Sequence, residues 1–214
     1  MPCDCCEITD NAFTEDEARA DMNRYHKRGP ANQTRLILEA IRSFGFKDAT
    51  LLDIGGGIGA IHHELLPDTA AHAIHVDASA AYLKEARAET ERRGHTAQVE
   101  FRHADFTDVA DDLPQTDLVT LDRVVCCYPD FRGLLEAAAG RSRAVVALTY
   151  PREIWYMRVA LAVMNLLQRM RRDPFRVFLH PVAEMDELLT GEGFSQMSLR
   201  RLWVWEAALY YRKS

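Results

Sequence analysis

Residues 49–59, with the sequence ATLLDIGGGIG, decide the fold of this chain. The first six residues form a short apolar run, which predicts a buried β-strand over 49–54. The glycines that follow predict a sharp turn into a helix over 58–66, because glycine lets the backbone turn tightly and lets another molecule approach it closely. The stretch therefore predicts a strand, a turn that faces a ligand, and a helix.

The same alternation of apolar strands and helices continues along the chain. It predicts a doubly wound α/β fold of the Rossmann type, with helices on both faces of a mostly parallel, seven-stranded sheet. Two final β runs have no crossover helix between them, so we expect the last strand to be antiparallel. The further predicted strands are 73–76, 98–103, 117–122, 144–150, 195–202 and 204–212, and the further predicted helices are 14–28, 32–44, 79–93, 131–139, 153–171 and 182–190.

We expect residues 1–30 to form an N-terminal cap segment, in which Thr14 and Glu17 make a capping box. Residues 31–214 are predicted to form one domain with a lid helix at about 153–172. That helix is apolar nearly all round and ends in basic residues. Two interpretations stay open, a buried helix with a solvated basic end, and a lid or membrane-surface contact that accepts an amphiphilic acid.

Composition and charge exclude several classes of protein. The chain has 214 residues, 48% of them hydrophobic, and a net charge of −6, which disfavours nucleic acid as a partner. The charge is uneven, since residues 141–214 carry 12 Lys and Arg against seven Asp and Glu. The N-terminal stretch MPCDCCEITD lacks the basic and apolar regions of a secretory signal, and five cysteines is an odd number. These features favour a cytoplasmic protein with a small-molecule substrate.

Three acidic residues stand at the ends of three successive predicted strands. Asp53 lies two residues before Gly55, Asp77 ends the second strand, and Asp105 follows the third. A carboxylate in the position of Asp77 can accept hydrogen bonds from both hydroxyls of a ribose. The stretch from Gly55 to Ala60 also matches the pattern G-x-G-x-x-A, which would indicate an NAD-binding site. The acid before the first glycine and the pair Asp105-Phe106 weigh against NAD.

The acids and the glycine motif resemble those of the class I S-adenosylmethionine-dependent methyltransferases, over about residues 30–212. The resemblance implies S-adenosyl-L-methionine as cofactor, with Asp53 at its amino group, Asp77 at its ribose, and Asp105 and Phe106 at its adenine. Gly55, Gly57 and Gly59 would line its methionine part, and Tyr25 would cap it. Ala78 and Asp122 complete the predicted cofactor-binding set.

A looser resemblance connects the stretches KRGP (27–30), VVCCYPD (124–130) and FLHP (178–181) with the magnesium-protoporphyrin O-methyltransferase group. That group has a histidine where this chain has Cys127. The predicted catalytic residues are Arg123, which would pair with an acid, Tyr128, which would lie beside the transferable methyl, and His180, a base suited to neutral pH.

The predicted function is therefore methyl transfer from S-adenosylmethionine to an apolar or amphiphilic carboxylate or phenol. The alternatives are an NAD-dependent oxidoreductase and a non-catalytic cofactor-binding interaction module. We predict no metal site, because Cys3, Cys5 and Cys6 supply three thiolates without an evident fourth ligand. Cys126 and Cys127 are expected to point to opposite sides of an extended segment.

Overall fold

The computed structural model describes residues 13–213, which contain seven strands in a single sheet and eight α-helices. The strands are β1 (Ala49–Ile54), β2 (Ala70–Asp77), β3 (Val99–His103), β4 (Thr116–Asp122), β5 (Ser142–Pro151), β6 (Phe194–Arg201) and β7 (Trp205–Arg212). The helices are α1 (Glu15–Arg28), α2 (Asn32–Phe44), α3 (Ala60–Leu65), α4 (Ala80–Arg93), α5 (Phe106–Val109), α6 (Phe131–Arg141), α7 (Trp155–Met170) and α8 (Val182–Gly191).

The sheet has the strand order β3-β2-β1-β4-β5-β7-β6. The first five strands pair in parallel, whereas β7 runs antiparallel to both β5 and β6. The predicted doubly wound fold and its antiparallel last strand are both confirmed. A short connection between β6 and β7 leaves no room for a crossover helix, so only an antiparallel pairing is available to them.

Hydrophobic clusters cover both faces of the sheet. Successive strand residues point to opposite faces, so Leu51 joins the cluster under α2 and Leu52 joins the cluster under α6. This two-sided burial explains why β1 reads as a continuous apolar run.

The strand order reverses between β1 and β4, and in such sheets ligands bind in the crevice at the carboxyl ends of those strands. The glycine turn follows β1 at this edge. Asp77 and Asp122 end β2 and β4, and Asp105 follows β3. The fold therefore brings the predicted acids to one edge of the sheet.

Two helices differ from the sequence prediction. Helix α3 begins at Ala60 rather than residue 58, because the preceding Gly59 adopts a left-handed conformation. Helix α7 matches the predicted lid helix, but none of its residues is buried, so the interpretation as a buried helix is wrong. Within residues 13–213, no helix is both long and apolar enough to cross a bilayer. The division into cap segment and domain stays a prediction.

Candidate functional site

The glycine turn is held in place by Asp77. The backbone N–H of Gly57 donates to Oδ2 of Asp77 at 2.8 Å, and the N–H of Ser79 donates to Oδ1 at 2.8 Å. Gly55 and Gly57 have φ values of 57° and 56°, which side chains rarely allow. A carboxylate offers about four acceptor positions. Asp77 can therefore brace the turn and still accept two hydroxyl donors.

A cavity of about 460 Å³ lies beside the glycine turn, within the volume range of small-molecule sites. Its walls come from the turn, from α1 and α2, from the carboxyl end of β4 and from Tyr82 of α4. Charged residues of both signs line it. The lining includes Asp21, Arg24, Tyr25, Arg28, Thr34, Arg35, Asp53, Gly55, Gly56, Gly57, Tyr82, Asp122 and Arg123.

Five of the predicted cofactor residues line this cavity: Tyr25, Asp53, Gly55, Gly57 and Asp122. The others, Gly59, Asp77, Ala78, Asp105 and Phe106, lie outside its lining. Burial raises the pKa of Asp53 and the pKa of Asp77 to about 6 each. Both groups are thus mainly ionised at pH 7, although burial opposes their charge.

Asp105 and Tyr128 form one hydrogen-bonded unit. Asp105 caps α5 by accepting from the N–H of Thr107 at 2.9 Å, and the hydroxyl of Tyr128 donates to the same Oδ1 atom at 2.8 Å. Phe106 is buried in the core, at 1% exposure. The bond puts the Tyr128 hydroxyl beside the predicted adenine acid.

Asp122 ties three elements together at the carboxyl end of β4. Its two oxygens accept from the hydroxyls of Thr34 on α2 and Thr149 on β5. Arg123 follows with a positive φ of 63°, and its guanidinium lies 4.0 Å from Asp122. This geometry directs a partly exposed arginine to the wall of the cavity.

His180 and Tyr25 both make contacts with other parts of the protein. Nε2 of His180 lies 3.1 Å from the carbonyl oxygen of Val125 and 2.9 Å from that of Tyr128, so it donates to this pair. The Tyr25 hydroxyl donates to Glu64 at 2.7 Å and accepts from Arg93 at 2.8 Å. His180 therefore holds the 125–128 turn, and Tyr25 packs into the wall of the cavity. The catalytic role of His180 and the role of Tyr25 as a cap over the cofactor stay predictions.

The cysteine pair after β4 differs from the prediction. Residues 125–127 form a 3₁₀ turn rather than an extended segment, so the Cys126 and Cys127 sulfurs lie on the same side, 4.0 Å apart. The hydrogen bond with Cys127, followed by burial, raises the pKa of the Cys126 thiol. The expectation that the two point to opposite sides is wrong. Cys3, Cys5 and Cys6 lie outside the described residues.

Sequence reasoning missed two groups of residues near the turn. One is the set of cavity arginines on α1 and α2, Arg24, Arg28 and Arg35. The other is a buried cluster of Asp53, His62 and His75 beneath the turn. A histidine inside the apolar strand AIHVD, and a histidine pair directly after the glycine motif, were the available signals for the second group.

Comparison with known proteins agrees with this geometry. Residues 51–143 match the model of a family described as a methyltransferase domain. This part of the chain is therefore similar to a methyltransferase domain. The match includes the glycine turn, Asp77, Asp105 and Asp122. A search of curated protein sequences finds no match.

Solved structures share the fold of this methyltransferase domain. Magnesium protoporphyrin IX methyltransferase from Synechocystis, with bound S-adenosylhomocysteine, is 17% identical, with 98% of this chain and 100% of that chain covered and a TM-score of 0.73. An O-methyltransferase family protein from Burkholderia thailandensis is 16% identical, with coverages of 95% and 61% and a TM-score of 0.71. The N-methyltransferase of Bradyrhizobium japonicum is 14% identical, with coverages of 85% and 86% and a TM-score of 0.64.

The predicted enzyme class, an S-adenosylmethionine-dependent methyltransferase, is confirmed. The cofactor, when bound, supplies an activated methyl group on a sulfonium sulfur. The residues present fit this group, since Gly55 and Gly57 line a cavity of suitable size and Asp77, which accepts from the N–H of Gly57, has acceptor positions left.

Proposed function

We propose that this methyltransferase domain acts on an apolar or amphiphilic acceptor that carries a carboxylate or a phenolate. The observation that carries the proposal is the set of arginines in the cavity wall. Arg24, Arg28 and Arg35 come from the two N-terminal helices, and Arg123 follows β4. A guanidinium forms two parallel hydrogen bonds with a carboxylate, which fixes both the position and the orientation of an acid.

Not all of these arginines are equally available. Arg24 pairs with Asp21 at 2.6 Å, and Arg35 donates to the backbone carbonyl of Arg28. The side chain of Arg123 is 46% exposed, and Asp122, which lies 4.0 Å from its guanidinium, accepts from two hydroxyls. Arg123 is therefore the residue best placed to receive an acid group in this cavity.

The apolar part of the acceptor has a candidate surface in α7 and the segment that follows it. Phe175, after α7, packs edge-on against Phe13 at 5.1 Å, and Phe13 packs against the cavity residue Tyr82 at 5.7 Å. The N–H of Phe178 donates to the carbonyl of Cys126 at 2.7 Å. Apolar surface of this kind would hold the hydrophobic body of a flat or amphiphilic acid, including one of tetrapyrrole size.

The protein's main contribution to the reaction is positioning. Holding an acceptor oxygen in line with the methyl group converts a two-molecule encounter into a one-molecule step. Nε2 of His180 donates to two backbone carbonyls, so it is not available as a base. A carboxylate acceptor needs no base, and this arrangement is therefore compatible with that acceptor class. A phenol would need to lose its proton, which makes the carboxylate the better match.

The test is an assay of released S-adenosylhomocysteine with paired acceptors. Each apolar carboxylate is compared with its neutral primary amide, and the Arg123→Gln variant is compared with Arg132→Gln, a surface arginine paired with Glu184. We expect turnover with the acids only, and an acceptor KM raised at least tenfold in Arg123→Gln alone. Equal turnover of acids and amides would contradict the proposed acceptor class.

A membrane surface is a second candidate partner for α7. Trp155 and Met170 of α7 are 76% and 73% exposed, and Trp203 nearby in the fold is 81% exposed. Exposed apolar side chains beside arginines are typical of helices that lie on anionic lipid. Sedimentation with phosphatidylglycerol vesicles, but not with phosphatidylcholine vesicles, is the expected result. The absence of binding to both would remove this candidate and leave the acceptor proposal untouched.

A further inference from the structure

Three buried side chains with metal-binding atoms converge beneath the glycine turn. Asp53 lies in β1, His75 is its direct register partner in β2, and His62 comes from α3. All three are 0% exposed. One ligand atom from each lies within 4.8 Å of the others. Two adjacent strands and one helix thus place a carboxylate and two imidazoles around a common point.

The distances between these atoms match the edges of a metal coordination sphere. Nδ1 of His62 lies 3.2 Å from Nδ1 of His75 and 3.4 Å from Oδ2 of Asp53. Ligands placed about 2.0–2.1 Å from a tetrahedral ion are roughly 3.3 Å apart. Both distances agree with that edge.

The hydrogen-bond partners of the cluster leave the ligand atom of Asp53 unused. Among the described residues, Oδ2 of Asp53 has no hydrogen-bond donor, although it is fully buried. Its other oxygen, Oδ1, accepts from the hydroxyl of Thr120 at 2.8 Å. A second contact of this kind commonly fixes the orientation of a ligating carboxylate. A buried carboxylate oxygen without a donor is costly unless a cation or another donor meets it.

We propose that Asp53, His62 and His75 bind a first-row divalent transition metal ion, with zinc the best match to two nitrogens and one oxygen. The ion lies directly under the glycine turn. A Cβ on Gly56 would stand 2.6 Å from Cε1 of His75 and 2.7 Å from Oδ2 of Asp53. The ion therefore joins β1, β2 and α3 at the base of the turn, independently of which acceptor the domain methylates.

The first experiment measures metal binding to the purified full chain after removal of metal with a chelator. Cobalt(II) is added as a spectroscopic probe and zinc is titrated by calorimetry, both in the wild type and in a Cys3→Ser/Cys5→Ser/Cys6→Ser background. We expect one zinc ion per chain in both proteins. The cobalt complex should show visible absorption of cobalt bound by nitrogen and oxygen ligands, without a sulfur-to-cobalt band in the near ultraviolet.

Three histidine variants then locate the site. His62→Gln and His75→Gln each remove a proposed ligand and should weaken zinc binding at least 100-fold. His63→Gln is the matched control, because His63 is equally buried beside His62, with ring centroids 4.2 Å apart, but is not part of the ligand set. Circular dichroism checks that each variant folds, and either ligand variant alone suffices if the other does not.

Several outcomes would overturn the proposal. One is a wild-type chain that binds no zinc at concentrations up to about 100 μM, in which case the three groups form only a hydrogen-bonded network. Another is loss of the bound ion in the Cys3→Ser/Cys5→Ser/Cys6→Ser background. A third is a His63→Gln variant that weakens binding as much as His62→Gln does. Cofactor binding is measured separately and does not enter any of these outcomes.

Discussion

A single hydrogen bond changes the expected role of Tyr128. The resemblance to the methyltransferases implies that this residue lies beside the transferable methyl. Its hydroxyl instead donates to Oδ1 of Asp105 at 2.8 Å, and Asp105 also caps α5. A tyrosine that orients Asp105, the predicted adenine-binding acid, is expected to affect the cofactor more than the acceptor.

Tyr128→Phe is therefore expected to weaken the binding of S-adenosylhomocysteine by roughly three- to tenfold, since a hydrogen bond to a charged group contributes about 1 kcal/mol or somewhat more. The acceptor KM should stay within twofold. Calorimetry gives the first value and the transfer assay gives the second. Tyr211→Phe, on β7, is the control and should change neither. An unchanged cofactor affinity with a raised acceptor KM would instead indicate that Tyr128 contacts the acceptor.

The acids of the site could be predicted from the sequence, whereas their partners could not. Asp77, Asp105 and Asp122 all stand at strand ends, and the apolar runs before them are visible in the sequence. Thr34 is 88 positions away from Asp122, and no local pattern predicts that the two side chains meet. The burial of His62 and His75 likewise depends on how α3 packs against β2.

The glycine turn packs closely against the buried side chains beneath it. Gly56 lies against His75 and Asp53, and a Cβ there would be 2.6–2.7 Å from their atoms. The strand–turn–helix unit was predictable from glycine spacing, and the sequence attributes the glycines to the tight turn and to the approach of a ligand. In the structure, Gly56 also makes room for a buried side-chain cluster.

Gly56→Ala should lower the free energy of unfolding by about 1–3 kcal/mol, which is typical of an atom forced into a packed site. The same change should also weaken cofactor binding, because the turn must shift to make room for the alanine side chain. Gly140→Ala in α6 is the control, since nothing lies within 4 Å of its added Cβ. That change should be neutral or stabilising by about 0.5–1 kcal/mol. Urea unfolding gives the free energy of unfolding of both variants. Equal values would contradict the close packing described for Gly56.

At the scale of the whole molecule, the basic C-terminal part of the chain contains α7, which is more exposed than the other α-helices of residues 13–213. Helix α7 has no buried residue, and its basic end continues into Arg171 and Arg172. The sequence predicted the helix but not its exposure, because an apolar stretch is equally compatible with burial and with a docking surface. Arg176 donates to the carbonyls of Asp173 and Phe175, so it braces the turn after the helix.

The double variant Arg169→Gln/Arg172→Gln should weaken acceptor binding, with KM raised about threefold to tenfold, because exposed charges contribute modestly to binding an acid. The affinity for S-adenosylhomocysteine should be unchanged. Arg19→Gln/Arg102→Gln, a pair of exposed arginines elsewhere on the surface, serves as the control. If both double variants keep the wild-type KM and turnover, the basic end of α7 is only a solvated surface and has no part in acceptor binding.

The glycine turn and Asp77 are expected to bind S-adenosylmethionine, and calorimetric titration with S-adenosylhomocysteine and with NAD tests this most directly. The wild type should bind S-adenosylhomocysteine one-to-one, with a Kd on the order of 1 μM to 1 mM, and should not bind NAD. Asp77→Ala should raise that Kd by about 30-fold, equivalent to about 2 kcal/mol, whereas the exposed Asp111→Ala should leave it unchanged. Binding of NAD without S-adenosylhomocysteine, or an unaltered Kd in Asp77→Ala, would contradict the account.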